Sequence, residues 1–107
     1  QRRQLLHPES YSAMLAPAVL APGKKDDSPC RDAPTSYGLG WFLTDFCGNP
    51  VATHGGTIAG FSASLFWATR RPLSAVALAN GKSGPDRIGV AEKMGAKVLR
   101  GALTCDR

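Results

Sequence analysis

Phe61-Ser62-Ala63-Ser64-Leu65-Phe66-Trp67-Ala68, then Thr69-Arg70-Arg71-Pro72, then Leu73-Ser74-Ala75-Val76-Ala77-Leu78-Ala79 reads as two strands joined by a short connection. In the first, Phe61, Ala63, Leu65 and Trp67 recur at period two, which predicts that they form the buried face of a half-buried strand. The second is a nearly continuous apolar run of strand length, which predicts a central strand covered on both faces. A connection this short makes the pair an antiparallel hairpin.

Working outward, Pro85 opens a helix with Asp86 in its first turn. Ile88, Ala91, Met94, Val98, Leu99 and Ala102 form its apolar face, opposite Lys93, Lys97 and Arg100. Gly89 and Gly95 inside it each cost about 1 kcal/mol relative to Ala, so close packing on the sheet has to hold this helix. Upstream, residues 37–44 read as a strand in which Gly38 and Gly40 admit a close neighbour. Cys47-Gly48-Asn49-Pro50 supplies a turn, and residues 51–53 a short returning strand. Nearer the start, Pro8 stands at the first position of a short helix with Tyr11, Met14 and Leu15 at helical spacing, stopped by Pro17. Residues 16–35, rich in Pro, Gly and charge, read as an exposed, mobile loop. The expected fold is α+β, an antiparallel sheet with a C-terminal helix packed on it. It divides into residues 1–36, a short helix and loop, and residues 37–107, the sheet-and-helix part.

The 107 residues suffice for one small domain. With 43% hydrophobic and 20% charged residues the chain is too apolar to be intrinsically disordered. The net charge of +5 is dispersed over pairs such as Arg2-Arg3, Lys24-Lys25 and Arg70-Arg71, without the basic stripe and interleaved aromatics that nucleic acid requires. Cys30, Cys47 and Cys105 have no C-x-x-C spacing and His7 is remote from His54, which argues against a zinc site. Cys30 and Cys47 both lie beside turns and are able to bridge in an oxidising compartment, leaving Cys105 free, and three plain thiols fit equally well. No apolar run approaches the roughly 20 residues that span a bilayer. Gln1-Arg2-Arg3-Gln4 has neither an initiator Met nor the apolar core of a signal peptide, so the chain reads as beginning partway through a longer one.

Two nucleotide motifs fail on inspection. Gly81-Lys82-Ser83 lacks the first glycine of a P-loop, which falls on Val76. Gly38-Leu39-Gly40 lacks the third glycine of a dinucleotide fingerprint, which falls on Leu43. The remaining candidate is His54-Gly55-Gly56-Thr57 at the start of a strand. There, two residues without Cβ let a substrate approach the backbone beside an imidazole, although Gly-Gly is also ordinary turn chemistry with a surface histidine.

Leu5-Leu6-His7-Pro8-Glu9-Ser10-Tyr11-Ser12-Ala13-Met14-Leu15-Ala16-Pro17, Tyr37-Gly38-Leu39-Gly40-Trp41, His54-Gly55-Gly56, Gly60-Phe61-Ser62 and Leu78-Ala79-Asn80-Gly81 occur in this order. Together they resemble the last third of the serine hydrolase family that includes class C β-lactamases, related esterases and D-amino-acid peptidases. The resemblance runs from Leu5 to Leu103 and implies part of the β-lactamase/transpeptidase-like fold. It places His54 where β-lactamases carry the Lys of Lys-Thr-Gly. It makes the backbone N–H of Thr57 one donor of an oxyanion hole and sets Gly55, Gly56 and Ile58 against the substrate. A mostly neutral His54 is a poorer permanent cation than Lys, and Gly55 lacks the Thr hydroxyl. Both departures favour a small-molecule ester or amide over a lactam. The resemblance implies no metal or organic cofactor and favours an extracytoplasmic location.

Acylation in this family needs an S-x-x-K nucleophile and a Tyr-x-Asn-type element, and neither pattern occurs in these 107 residues. The expectation is a C-terminal part of a serine acyl hydrolase, inactive alone because its nucleophile lies elsewhere. Two alternatives stay open: a non-catalytic binding or interaction module on the same scaffold, and one chain of a two-chain enzyme. In the last, an unpaired sheet edge and exposed apolar face invite a complementing N-terminal chain or self-association.

Overall fold

The computed structural model describes residues 5–20, 36–81 and 89–104. Helix α1 (Pro8–Met14) is followed by strands β1 (Val19–Leu20), β2 (Ser36–Tyr37), β3 (Phe42–Phe46), β4 (Asn49–Ile58), β5 (Phe61–Ala68) and β6 (Leu73–Ala79), and then by helix α2 (Val90–Ala102). The six strands form one antiparallel sheet in sequence order. The fold is α+β, with the C-terminal helix on the sheet.

Local chemistry accounts for the turns. Cys47 and Gly48 both have positive φ, 52° and 76°, which suits a two-residue hairpin turn whose twist matches the flanking strands. The Asn49 side chain donates from Nδ2 to the carbonyls of Phe46 and Cys47, each at 3.2 Å. Ala59-Gly60 closes the next hairpin with Gly60 at φ 81°. Thr69 to Pro72 join β5 to β6 in the expected antiparallel hairpin.

Residues 37–44 are not one strand. The chain reverses at Gly38 to Trp41, where the Gly38 N–H donates to the Trp41 carbonyl at 2.8 Å, so Tyr37 and Phe42 face each other on β2 and β3. The close neighbour at Gly38 is the end of α1: a Cβ there would collide with the Met14 carbonyl and lie 3.2 Å from that of Ala16. Leu39 N–H donates to the same Met14 carbonyl at 3.0 Å. Helix α1 starts at Pro8 as expected. Within the segment read as loop, Val19 and Leu20 form β1, while residues 21–35 lie outside the described residues.

The packed face of β5 is the reverse of the expected one. Ser62, Ser64, Phe66 and Ala68 are buried, and Phe61, Ala63, Leu65 and Trp67 are not. The reason is α2, which lies on β5 and β6 and presents backbone rather than bulk to them. Ser62 Oγ accepts a hydrogen bond from Ala91 N–H at 3.2 Å, and Ser64 Oγ donates to the Ala91 carbonyl at 2.7 Å. Bonded in this way, two hydroxyls occupy an interior face that a count of apolar residues assigns to their neighbours. The core on this face is Phe46, Val51, Phe66, Ala68 and Ala75 with Ala96, Leu99 and Leu103 of and beyond α2. On the other face, Trp41 meets Trp67 edge-on, with ring centroids 6.0 Å apart.

Helix α2 begins at Val90. Gly89 is its N-cap with extended backbone (φ −61°, ψ 141°), so the helix does not continue through Gly89, and the expected start at Pro85 and core residue Ile88 lie outside the described residues. Its buried face is Ala91, Gly95, Ala96 and Leu99. Met94, Val98 and Ala102, expected on that face, are exposed, and Arg100, expected in solvent, lays its guanidinium 4.4 Å from the Phe46 ring centroid. Small residues win the contact because the helix sits close on the alanines of β6. Strand β6, expected to be central and covered on both faces, is the last strand of the sheet among the described residues, and Val76 and Leu78 are exposed.

Candidate functional site

His54-Gly55-Gly56-Thr57 does not open a strand but runs through β4, which extends unbroken from Asn49 to Ile58. Strand β3 pairs with β4 only as far as Phe42 opposite Thr53. From His54 to Ile58, β4 is paired with β5 on one side, and among the described residues no strand lies on the other.

The direction of the backbone groups in that stretch follows from the turns. A two-residue turn is closed by a hydrogen-bonded pair, and along an antiparallel ladder such pairs alternate with non-bonded ones. Counting from Ile58 and Phe61, the amides of His54, Gly56 and Ile58 face β5. Those of Gly55 and Thr57 face the open side. Counting from Phe46 and Asn49 at the other end gives the same alternation: Val51 and Thr53 face β3, while Pro50 faces β5, where its carbonyl accepts from Thr69 N–H at 3.0 Å.

His54 is exposed and sits in an aromatic corner. Its ring centroid is 5.5 Å from that of Phe42 and 6.3 Å from that of Tyr37, which themselves pack edge to face at 4.8 Å. Nδ1 lies 2.7 Å from the Gly55 carbonyl oxygen, one of the groups on the open side. A carbonyl only accepts, so this contact requires Nδ1 to carry the proton and leaves Nε2 of the neutral ring as an acceptor.

Beside the site, a cleft of about 720 Å³ is lined by Gly56, Thr57, Ile58, Phe61, Ala63 and Leu78, among others. By the strand register, Gly56, Ile58, Phe61, Ala63 and Leu78 lie on the sheet face away from α2, while Thr57, with Ser62 and Ala79 of the same lining, lies on the helix side. This volume is within the range of small-molecule sites, and the lining is mainly apolar. Of the residues singled out in the sequence, Gly56, Thr57 and Ile58 line the cleft. His54 and Gly55 do not, and His54 is held at the Tyr37–Phe42 corner instead. Phe61 and Leu78, the cleft walls from β5 and β6, are hidden in the sequence, because alternation puts Phe61 on a buried face and the apolar run makes Leu78 part of a covered strand.

Thr57 also faces the start of α2. A Cβ on Gly89 would stand 3.4 Å from both Thr57 Oγ1 and Ser62 Cβ, so the helix N-terminus comes down on this end of the β4–β5 hairpin. Cys47 is disulfide-bonded, and the other two cysteines, Cys30 and Cys105, lie outside the described residues. Among the described residues no cluster of His, Cys, Asp or Glu is placed to hold a metal ion, and no helix is long and apolar enough to cross a membrane. Comparison of the chain with models of protein families, with curated proteins and with solved structures returned no match.

Proposed function

We propose that this chain is the C-terminal part of a serine acyl hydrolase with a β-lactamase/transpeptidase-like fold, in which β4 supplies the oxyanion strand. The observation that carries the reading is the open side of β4 past Phe42, toward which the backbone N–H of Thr57 points. A fixed backbone donor aimed at a developing oxyanion contributes about 3 kcal/mol to transition-state stabilisation. In a sheet this donor is held without any side chain, and the glycines at positions 55 and 56 leave room for a substrate carbonyl to approach it.

In this reading Thr57 N–H binds the acyl oxygen of an ester or amide, and Ile58, Phe61 and Leu78 take up the apolar part of the substrate. His54, at the position of the family's Lys, offers Nε2 as a hydrogen-bond acceptor and provides no permanent positive charge for a carboxylate. Esters are therefore the preferred substrates over β-lactams. The nucleophile and its base come from an S-x-x-K and a Tyr-x-Asn element outside these residues, and the chain alone is inactive. The second reading, a non-catalytic interaction module, draws its support from β6, beyond which no strand lies among the described residues.

The test has two parts. The reading frame upstream of Gln1 is read for S-x-x-K and a Tyr-x-Asn-like element. The protein that contains them is assayed on a chromogenic ester with and without Thr57→Pro, which removes the one N–H. A fall in kcat of about 10²–10³ with little change in KM is expected. An upstream frame without S-x-x-K, or an unchanged kcat, refutes the proposal.

A further inference from the structure

Cys47 is disulfide-bonded, and the chain offers it two partners, Cys30 and Cys105, both outside the described residues. The described residues that anchor each of them decide between the two. Cys47 follows the fully buried Phe46 and makes the β3–β4 turn with Gly48. Helix α2 runs toward that turn. Its N-cap Gly89 lies against Thr57 and Ser62 at the far end of β4 and β5, and Gly95 lies against Ser64 and Phe66. Arg100 then carries its guanidinium to the Phe46 ring, 4.4 Å from the centroid. Leu103, the C-cap, is buried and belongs to the same core cluster as Phe46 and Val51.

The helix stops at this point. Leu103 N–H donates to the Leu99 carbonyl at 2.9 Å, but Thr104 has φ 57°, the left-handed conformation that ends a helix, and its N–H donates to the Gly101 carbonyl at 3.1 Å. Cys105 is the next residue, two past a side chain packed in the Phe46 cluster. Successive Cα atoms are about 3.8 Å apart, so Cys47 is one such step from Phe46 and Cys105 at most two from Leu103. A disulfide asks for Cα atoms about 4.4–6.8 Å apart, which two residues of one core cluster with tethers this short supply. Cys30 has no comparable anchor: the nearest described residues are Leu20, ten positions before it, and Ser36, six after. Ser36 pairs with Leu43, four residues short of Cys47 on β3, so a bridge from Cys30 has about 13 Å of strand to span. The entropic cost of closure rises with the length of chain between a fixed anchor and the cysteine, and two residues against six favour Cys105 about fivefold.

We propose that Cys47 is bonded to Cys105 and that the bond is a redox-sensitive clasp holding the C-terminal end of α2 over the β3–β4 turn, with Cys30 left as a thiol. Formation joins the two Sγ atoms and releases two protons and two electrons, which a disulfide oxidant such as oxidised glutathione takes up as it is reduced to two thiols. The clasp closes a ring of chain from residue 47 to residue 105 that takes in β4, β5, β6 and α2, whereas a bridge from Cys30 to Cys47 encloses only β2 and β3. A cross-link over the longer ring removes more freedom from the unfolded chain. It also ties α2 down at both ends: the N-terminal end by the Ser62 and Ser64 hydroxyls at Ala91, the C-terminal end by the bond. Strand β4 runs between the two ties, from the clasped turn to Thr57, so reduction loosens the helix first at the end away from Thr57.

The test is a cysteine map of the protein that carries this chain, folded with a reduced and oxidised glutathione pair, blocked with N-ethylmaleimide in mild acid and cut with trypsin without reduction. Cys30, Cys47 and Cys105 fall in separate peptides, 26–31, 32–70 and 101–107. Mass spectrometry is expected to find 32–70 joined to 101–107 and the blocked thiol on 26–31. A bond from 26–31 to either of the others, or blocked thiols on all three, overturns the assignment. Melting with and without reductant then tests the clasp. Cys30→Ser, which leaves Cys47 and Cys105 as the only pair of the three, is expected to melt with the unaltered protein when oxidised. Reduction is expected to lower the Tm of both by about 5–15 °C. A Tm that reduction leaves unchanged in Cys30→Ser overturns the clasp.

Discussion

Replacing Gly95 by Ala tests how α2 is held. Considered as an isolated helix, the change helps by about 1 kcal/mol, since Gly is the poorest helix former after Pro. Against the sheet it does the reverse. An ideal Cβ at Gly95 stands 2.6 Å from Ser64 Oγ and 2.8 Å from Phe66 Cε2. Neither neighbour is free to yield: Ser64 is bonded to the Ala91 carbonyl at 2.7 Å, and Phe66 is fully buried against Phe46, with ring centroids 5.7 Å apart. To restore ordinary contact, α2 must lift from β5 by the better part of an ångström. Overpacking of this kind costs about 1–3 kcal/mol. Weakening the Ser64–Ala91 bond costs about 1 kcal/mol more. These losses exceed the propensity gain, so Gly95→Ala is destabilising by about 1–3 kcal/mol, a drop in Tm on the order of 10 °C for a domain of this size. Gly101→Ala is the control on the same helix. Its Cβ meets nothing within 4 Å, so it is expected to raise Tm by a few degrees. Both are read by circular dichroism melting and urea titration at one fixed protein concentration, so that association does not enter the comparison. If Gly95→Ala melts at or above the unaltered chain, α2 is not pressed on β5 as described.

Two further substitutions examine the hydroxyls of the sheet. Ser62→Ala removes the acceptor of Ala91 N–H at a helix start that has no side-chain cap of its own, and a loss of about 1 kcal/mol in urea titration is expected. No change would mean that water replaces the serine there. Thr44 is buried with no hydrogen-bond partner for Oγ1 among the described residues. Thr44→Val discards that hydroxyl while keeping a β-branched side chain in β3, so a gain of about 1 kcal/mol is expected, and a loss would show that Oγ1 is satisfied after all.

The candidate site was partly legible in the sequence. By its residues alone His54-Gly55-Gly56-Thr57 reads as readily as a turn with a surface histidine, and the resemblance singles it out; the structure sets its last two residues, with Ile58, along a cleft. The aromatic corner formed by Tyr37 and Phe42 around His54 was hidden, because residues 37–44 read as one strand and only the reversal at Gly38 to Trp41 brings those rings together. The open side of β4 was equally hidden, since where one strand ends relative to its neighbour is a matter of register.

From the sequence alone came the features set by local chemistry: Pro8 at the start of α1, the turn at Cys47-Gly48, the β5–β6 hairpin, and a helix after it with Gly95 against the sheet. Each depends on residues within a turn or two, through fixed φ, glycine at positive φ or hydrophobic spacing. Tertiary structure decided the rest: which face of β5 is interior, where α2 begins, and that β6 is the last strand among the described residues. Alternation reports that a strand has two faces, and it does not say which one a helix will cover. Here Ser62 and Ser64 belong inside because Ala91 offers each of them a hydrogen bond from 27 or more residues away. That bond is a property of the assembled molecule, and the apolar side chains it displaces are the ones left facing the cleft and the uncovered face of the sheet.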